Sequence, residues 1–197
     1  MKTVKRIVAV LLAVMLMAPA AVNAAAPSAT RKSIKNKKAT ATVTYNGKSQ
    51  LPKKVKIDGK WLVVGKDCTI KKKTCKNAKK YVLSIEGIGR YAGKTDLVFY
   101  IKKANQKIKT SVEQKSYKTS TLKKKGKSFN LKTKAVSKKV TYTVSGAKNA
   151  KKYIKVSKKG KVTIKKGIKK GIYKIVIKAK ATKNHNAAKR TIRVIIK

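Results

Sequence analysis

One histidine, His185, five carboxylates, Asp58, Asp67, Glu86, Asp96 and Glu113, and two cysteines, Cys68 and Cys75, are the side chains of this chain best suited to acid/base, nucleophilic or metal chemistry. They do not form a constellation. Nucleophilic catalysis needs a base beside its nucleophile and a third group to orient that base, yet His185 stands in a polar, turn-like stretch, Lys183-Asn184-His185-Asn186. Asp58 precedes Gly59 in a hairpin-turn dipeptide, and the other acids are scattered. Calcium needs clustered carboxylates, and two thiols with one distant imidazole fall short of the four ligands of a structural zinc site. Gly47-Lys48-Ser49 and Gly126-Lys127-Ser128 have the end of a phosphate-binding loop, but Thr42 and Thr121 stand where its first glycine is required. The expectation is a protein that is not an enzyme and has no cofactor.

What the chain has in abundance is positive charge: 55 Lys and Arg against 5 Asp and Glu, a formal +50. Only Arg6, Arg31, Arg90, Arg190 and Arg193 are arginines. Arginine carries the rigid bidentate fork of specific phosphate and base recognition, whereas lysine is a mobile point charge. The bias therefore favours broad, salt-sensitive attraction to a polyanion. Three groups of lysines are the candidate contacts: Lys71, Lys72, Lys73, Lys76, Lys79 and Lys80 around one hairpin; Lys123, Lys124 and Lys125 in a loop; and Lys158, Lys159, Lys161, Lys165, Lys166, Lys169 and Lys170 around a strand at 161–164. The expected partners are anionic polymers, namely teichoic acid, acidic glycans or extracellular DNA, or else a surface protein, with the charge then incidental.

Met1 to Ala24 reads as a secretory signal peptide: Lys2, Lys5 and Arg6, an uncharged apolar run from Ile7 to Ala18, and Val22-Asn23-Ala24 before the cleavage point. Its removal leaves a charge of about +47. The expected product is secreted or held to a cell surface non-covalently, without membrane insertion of the mature chain. For an exported chain, Cys68 and Cys75, seven residues apart, can close a disulfide loop worth on the order of 2 kcal/mol; the alternative is two small apolar residues kept reduced.

Residues 25–39 have no periodicity and read as a flexible basic leader. From there on the spacing is that of short strands. Val55 and Ile57 alternate with Lys54 and Lys56 ahead of the Asp58-Gly59 turn and Trp61 to Val64. Tyr81, Leu83 and Ile85, then Leu97, Phe99 and Ile101, each share one strand face. The second half repeats the pattern with Val140, Tyr142 and Val144, with Val162 and Ile164, with Tyr173, Ile175, Ile177 and Ala179, and with Ile192, Val194 and Ile196. No stretch has the spacing of an amphipathic helix. The fold class predicted is all-β, two small sandwich modules in tandem at 40–103 and 104–197.

The first half resembles an Ig-like all-β repeat of secreted and surface proteins of gut Firmicutes. The residues that carry the likeness are Thr44-Tyr45-Asn46-Gly47-Lys48 with Pro52, then Gly65-Lys66-Asp67, and the tail Gly87-Ile88-Gly89-Arg90-Tyr91-Ala92-Gly93. The second half resembles the bacterial Ig-like or cadherin-like module that often follows it, through Val140-Thr141-Tyr142, Val156-Ser157 with Gly160-Lys161-Val162, Gly171-Ile172-Tyr173, and Thr182-Lys183-Asn184. Cys68 replaces the usual aromatic after Asp67, and His185 stands where a tyrosine is common. The resemblance implies an Ig-like sandwich, an extracellular setting and a structural or adhesive role. It implies no active site.

Overall fold

The computed structural model describes residues 31–71 and 74–197. The signal-peptide reading of residues 1–24 lies outside them, as do Lys72 and Lys73.

The chain is all-β, and strand alternation is what shapes it. In the first module, β1 (Lys32–Ser33) is followed by β2 (Ala39–Thr44), β3 (Lys54–Ile57), β4 (Lys60–Val63), β5 (Cys68–Ile70), β6 (Lys80–Gly87), β7 (Tyr91–Ala92) and β8 (Lys94–Lys102). Six of these make one sheet in the order β4-β3-β2-β8-β6-β5, antiparallel except for the parallel pair β2 and β8. The edge strands β4 and β5 are joined by residues 64–67 alone. Flat, the edges of six strands stand about 24 Å apart at ~4.8 Å spacing, more than the roughly 17 Å that so short a link can span. The link is tight, with the Asp67 N–H donating to the Val63 carbonyl at 2.8 Å. The sheet must therefore fold over itself, and its two halves supply the two layers of the sandwich around Val55, Ile57, Leu62, Leu83, Ile85, Leu97, Phe99 and Ile101.

Two turns show why particular residues stand where they do. Asp58 and Gly59 both have positive φ, 44° and 80°, the backbone of a two-residue hairpin loop whose twist matches its strands. At Gly87 a Cβ would lie 2.8 Å from the Ala92 nitrogen, so only glycine lets the return strand β7 pass so close.

The expected flexible leader is corrected over its last nine residues, 31–39. β1 pairs in parallel with β7, Ile34 is buried in the first core, and Arg31 donates to the carbonyls of Gly87 and Tyr91. A single isoleucine in a basic stretch gave no periodicity to read, yet its burial anchors the segment.

The second module is a seven-stranded sandwich. It comprises β9 (Gln114–Tyr117), α1 (Thr119–Lys124), β10 (Lys127–Asn130), β11 (Val140–Gly146), α2 (Ala150–Tyr153), β12 (Ile154–Val156), β13 (Lys161–Ile164), β14 (Gly171–Ala179) and β15 (Ala188–Ile196). One sheet runs β11-β14-β15-β9, with the last pair parallel, and the other runs β10-β13-β12. Between them lie Leu131, Ile154, Val162, Ile164, Tyr173, Ile175, Ile177, Ile192, Val194 and Ile196. Along β14 and β15 the buried Tyr173, Ile175, Ile177, Ala179, Ile192, Val194 and Ile196 alternate with outward positions that include Lys174, Lys178, Lys189, Thr191 and Arg193, which is the alternation a half-buried sheet requires.

Phe99→Ala should cost about 3–5 kcal/mol, read in urea through the fluorescence of Trp61, the single tryptophan of the chain and a residue of the first module. Ile175→Ala in the second core should lower the far-ultraviolet transition and leave the Trp61 signal in place, if the two cores fold as separate units.

Candidate functional site

The candidate surface begins with where the lysines fall. In the first module the hairpin from β5 to β6 carries Lys71, Lys76, Lys79 and Lys80, all exposed. Lys71 is partly spent, since its ammonium stands 3.2 Å from Glu86, with Lys94 at 3.9 Å on the other side. The hydrogen bond from Lys71 leads in holding the Glu86 carboxyl below its ordinary range. The stabilisation from that pair is present at neutral pH and is lost as the pH falls through the lowered value. Lys79 lies over the Tyr81 ring, 5.0 Å from its centroid.

In the second module the sequence clusters are rearranged. The ladder register sets Lys127 opposite Ile164 and Ile164 opposite Ile154. Residues 123–126, 151–153 and 165–167 must therefore meet at one end of this three-stranded sheet. The Gly167 N–H donates to the Leu122 carbonyl at 3.1 Å and the Lys165 N–H to the Tyr153 carbonyl at 2.8 Å, which locks the three segments together. Lys123, Lys124 and Lys125 thus share one end of the module with Lys165, Lys166, Lys169 and Lys170, and with Lys151 and Lys152, which the sequence reading passed over. Lys158 and Lys159 occupy the β12 to β13 turn at the opposite end, and Lys161 faces outward at the start of β13 beside that turn.

Lys123 and Lys124, expected in a loop, are in fact the end of α1, and Lys125 is its C-cap. Leu122 alone is buried, and the two lysines fill the last helical turn, where cations meet the negative end of the helix dipole. A single apolar anchor in six residues leaves no period for a sequence to display.

Carboxylates are too few to quench this surface. Asp58 pairs with Lys37 at 2.8 Å, Glu113 with Arg190 at 2.5 Å, and Asp67 accepts the Val63 N–H at 2.9 Å. Such exposed pairs hold local geometry and add little stability. Among the described residues no group of three or more His, Cys, Asp or Glu is placed to hold a metal ion. Nor do these residues include a helix long and apolar enough to cross a membrane.

Cys68 and Cys75 are both fully buried in the first core. Burial, aided by the nearby Asp67 charge, pushes the Cys68 thiol up, away from the reactive thiolate.

His185, in the turn-like stretch read from the sequence, also makes a contact across to the first module. The residue is half-buried, its ring edge-on to Tyr45 of the first module with centroids 5.3 Å apart and planes at 82°. Beside it, the Asn184 side chain accepts the Ala78 N–H at 2.9 Å and donates to the Asn77 carbonyl oxygen of the side chain at 3.2 Å. The Ala104 N–H donates to the Asn184 backbone at 3.0 Å. The loop 182–186 is therefore a joint that fixes the lysine hairpin of the first module against the second.

The sequence reading also missed Trp61, which is exposed on β4, opposite Lys56. The signal was available in the Asp58-Gly59 turn, since a two-residue loop sets Ile57 against Lys60 and so puts Trp61 on the lysine face.

No family model and no curated protein sequence matches the chain. Among solved structures it is similar to Drosophila N-cadherin EC1-4, with 11% identity and a TM-score of 0.40, covering 83% of this chain and 51% of that one. It is also similar to the N-terminal four Ig domains of Dscam1 isoform 7.44, at 10% identity and a TM-score of 0.31, covering 82% and 46%. A third is a SusE-like surface-located polysaccharide-binding protein from the Bacteroides thetaiotaomicron heparin utilisation locus, at 8% identity and a TM-score of 0.29, covering 82% and 33%. The chain spans about half or less of these three structures. The fold assignment rests on the sheets and cores themselves.

Asn184→Ala removes the acceptor of the Ala78 N–H. Hydrogen exchange at the Ala78 amide should speed up about tenfold or more, the equivalent of losing one bond of roughly 1–1.5 kcal/mol, while amides within β14 keep their protection. Unchanged exchange at Ala78 would show that the joint is not formed in solution.

Proposed function

We propose that the chain is a secreted, non-enzymatic binding protein of two β-sandwich modules that adheres electrostatically to anionic cell-surface or extracellular polymers, such as teichoic acid, acidic glycans or extracellular DNA. The observation that carries the reading is the convergence of α1, α2 and the loop 165–170, three lysine-bearing segments far apart in sequence, at one end of the second module. A merely soluble surface mixes both signs of charge, whereas here no carboxylate lies in any of the three segments.

The mechanism is counterion release. Each ammonium group that meets an anionic group of the polymer frees condensed cations into bulk, a gain that shrinks as salt rises. Lysine suits this task better than arginine, because a mobile point charge follows an irregular polymer without demanding one geometry. The contacts of Asn184 with Asn77 and Ala78 add reach, setting the hairpin lysines of the first module beside the second. The division at 40–103 and 104–197 and the cleavage after Ala24 belong to the same proposal. So does the state of Cys68 and Cys75: a disulfide gives an intact mass two hydrogens lighter before reduction than after, and two buried thiols give no change.

Replacing Lys123, Lys124, Lys165 and Lys166 by Gln should lower the salt concentration that elutes the mature protein from immobilised heparin. It should do so by clearly more than the same replacement at Lys155, Lys158, Lys159 and Lys161. Equal losses would reduce the surface to bulk charge. If neither set changes attachment to the native cell envelope, the competing reading, a module that binds one particular protein, takes over.

A further inference from the structure

Four of the six large apolar side chains most exposed among the described residues stand at outward positions of the six-stranded sheet. They are Trp61, 62% exposed, Val82, 56%, Tyr100, 42%, and Val63, 37%. The register explains the arrangement. Trp61 stands opposite Lys56, Lys56 opposite Thr40, Thr40 opposite Val98, and Val98 opposite Val82, one continuous outward row across five strands. Beside this row the sheet splits. β2 and β3 pair only at Ala39 with Ile57 and Thr40 with Lys56, then diverge. The divergence opens a groove of ≈ 440 Å³ lined by Thr42, Val43, Pro52, Lys53, Lys54 and Trp61.

We propose that this groove is a subsite for an acidic glycan, a pyranose ring bearing a carboxylate or sulfate. The assignment rests on the polyanion-binding reading above and specifies one ligand chemistry within it. One face of a pyranose presents C–H groups with partial positive charge, which sit favourably on the negative face of an indole. Trp61 offers that face to solvent with Val43 and Pro52 as an apolar floor, and the Thr42 hydroxyl can bond a sugar hydroxyl. Lys53 and Lys54 bring two ammonium groups to the same groove, and none of its described lining residues is acidic. The nearest acids along the strands are engaged elsewhere, Asp58 with Lys37 and Asp67 with the Val63 N–H.

A single-stranded nucleic acid fits less well. Such ligands stack successive bases on successive rings, and the next exposed ring of this face, Tyr100, is three strands from Trp61. An exposed indole also carries a cost that a plain spacer would shed, since an isolated tryptophan on the lysine face does nothing for the core.

Trp61 is the one tryptophan of the chain, so its fluorescence reports on the groove alone. The test is a titration of the mature protein with a heparin-derived hexasaccharide, in salt high enough to screen diffuse contacts. The same titration is run with an uncharged hexasaccharide and with a thymidylate oligomer. The acidic sugar should give a saturable shift of the indole emission that the other two do not. Lys53→Gln with Lys54→Gln should weaken it about tenfold, the worth of one charge-assisted contact. Trp61→Ala, followed by calorimetry, should abolish the salt-resistant binding while leaving retention on immobilised heparin at low salt intact. An unmoved indole in a protein still retained at low salt would overturn the groove and spare the broader reading. An equal response to the uncharged sugar or to thymidylate would overturn the choice of ligand. Failure to be retained at low salt would sink both.

Discussion

Repulsion among ammonium groups is the condition under which this chain folds. With a formal +50 and five carboxylates, it has fewer than one acid for every ten cations, so ion pairing cannot balance the charge. Geometry manages it instead. Strand alternation sends lysines outward on every sheet while Val, Ile, Leu and Tyr fill two interiors, and water and counterions screen what remains over about 8 Å at physiological salt. Each core belongs to a module small enough that its buried fraction is modest. That makes the closure of each module important. In both, an early strand pairs in parallel with the last, β2 with β8 and β9 with β15, so that the two ends of each module are tied into its sheet.

The same constraint links fold to function. A β-sandwich can carry charge on its outer faces indefinitely, but its turns and sheet ends are where segments distant in sequence are brought together. In the second module this places α1, α2 and the loop 165–170 at one end. In the first it places the β5 to β6 hairpin at the joint, where Asn184 and His185 reach across from the second module. Repulsion between those surfaces has to be overcome by a few hydrogen bonds and one ring contact. A polyanion lying along the surface would relieve that repulsion, and it would thereby stabilise the protein that binds it.

Most of the strands could be read from the sequence, because their period of two is unbroken: Leu97, Phe99 and Ile101, or Tyr173, Ile175, Ile177 and Ala179, announce an inward face that the structure confirms. What could not be read is whatever depends on one residue or on distance. Ile34 and Leu122 are single apolar anchors in basic stretches, so β1 and α1 left no pattern. His185 looked like part of a free turn because its partner, Tyr45, is far away in the chain. The lysine clusters could be seen, but their division between the two ends of the β10-β13-β12 sheet is a matter of register. Trp61 is a different kind of miss, since the two-residue Asp58-Gly59 turn already determines that it shares the face of Lys56.

The central claim is that the lysine surface works by displacing counterions from a polyanion. The most direct test is the affinity of the mature protein for heparin, measured across a range of sodium chloride concentrations. The account predicts that log affinity falls linearly with log salt, with a slope that reflects several ammonium contacts made at once. An affinity that stays level as salt rises, or no binding at the lowest salt, would contradict it.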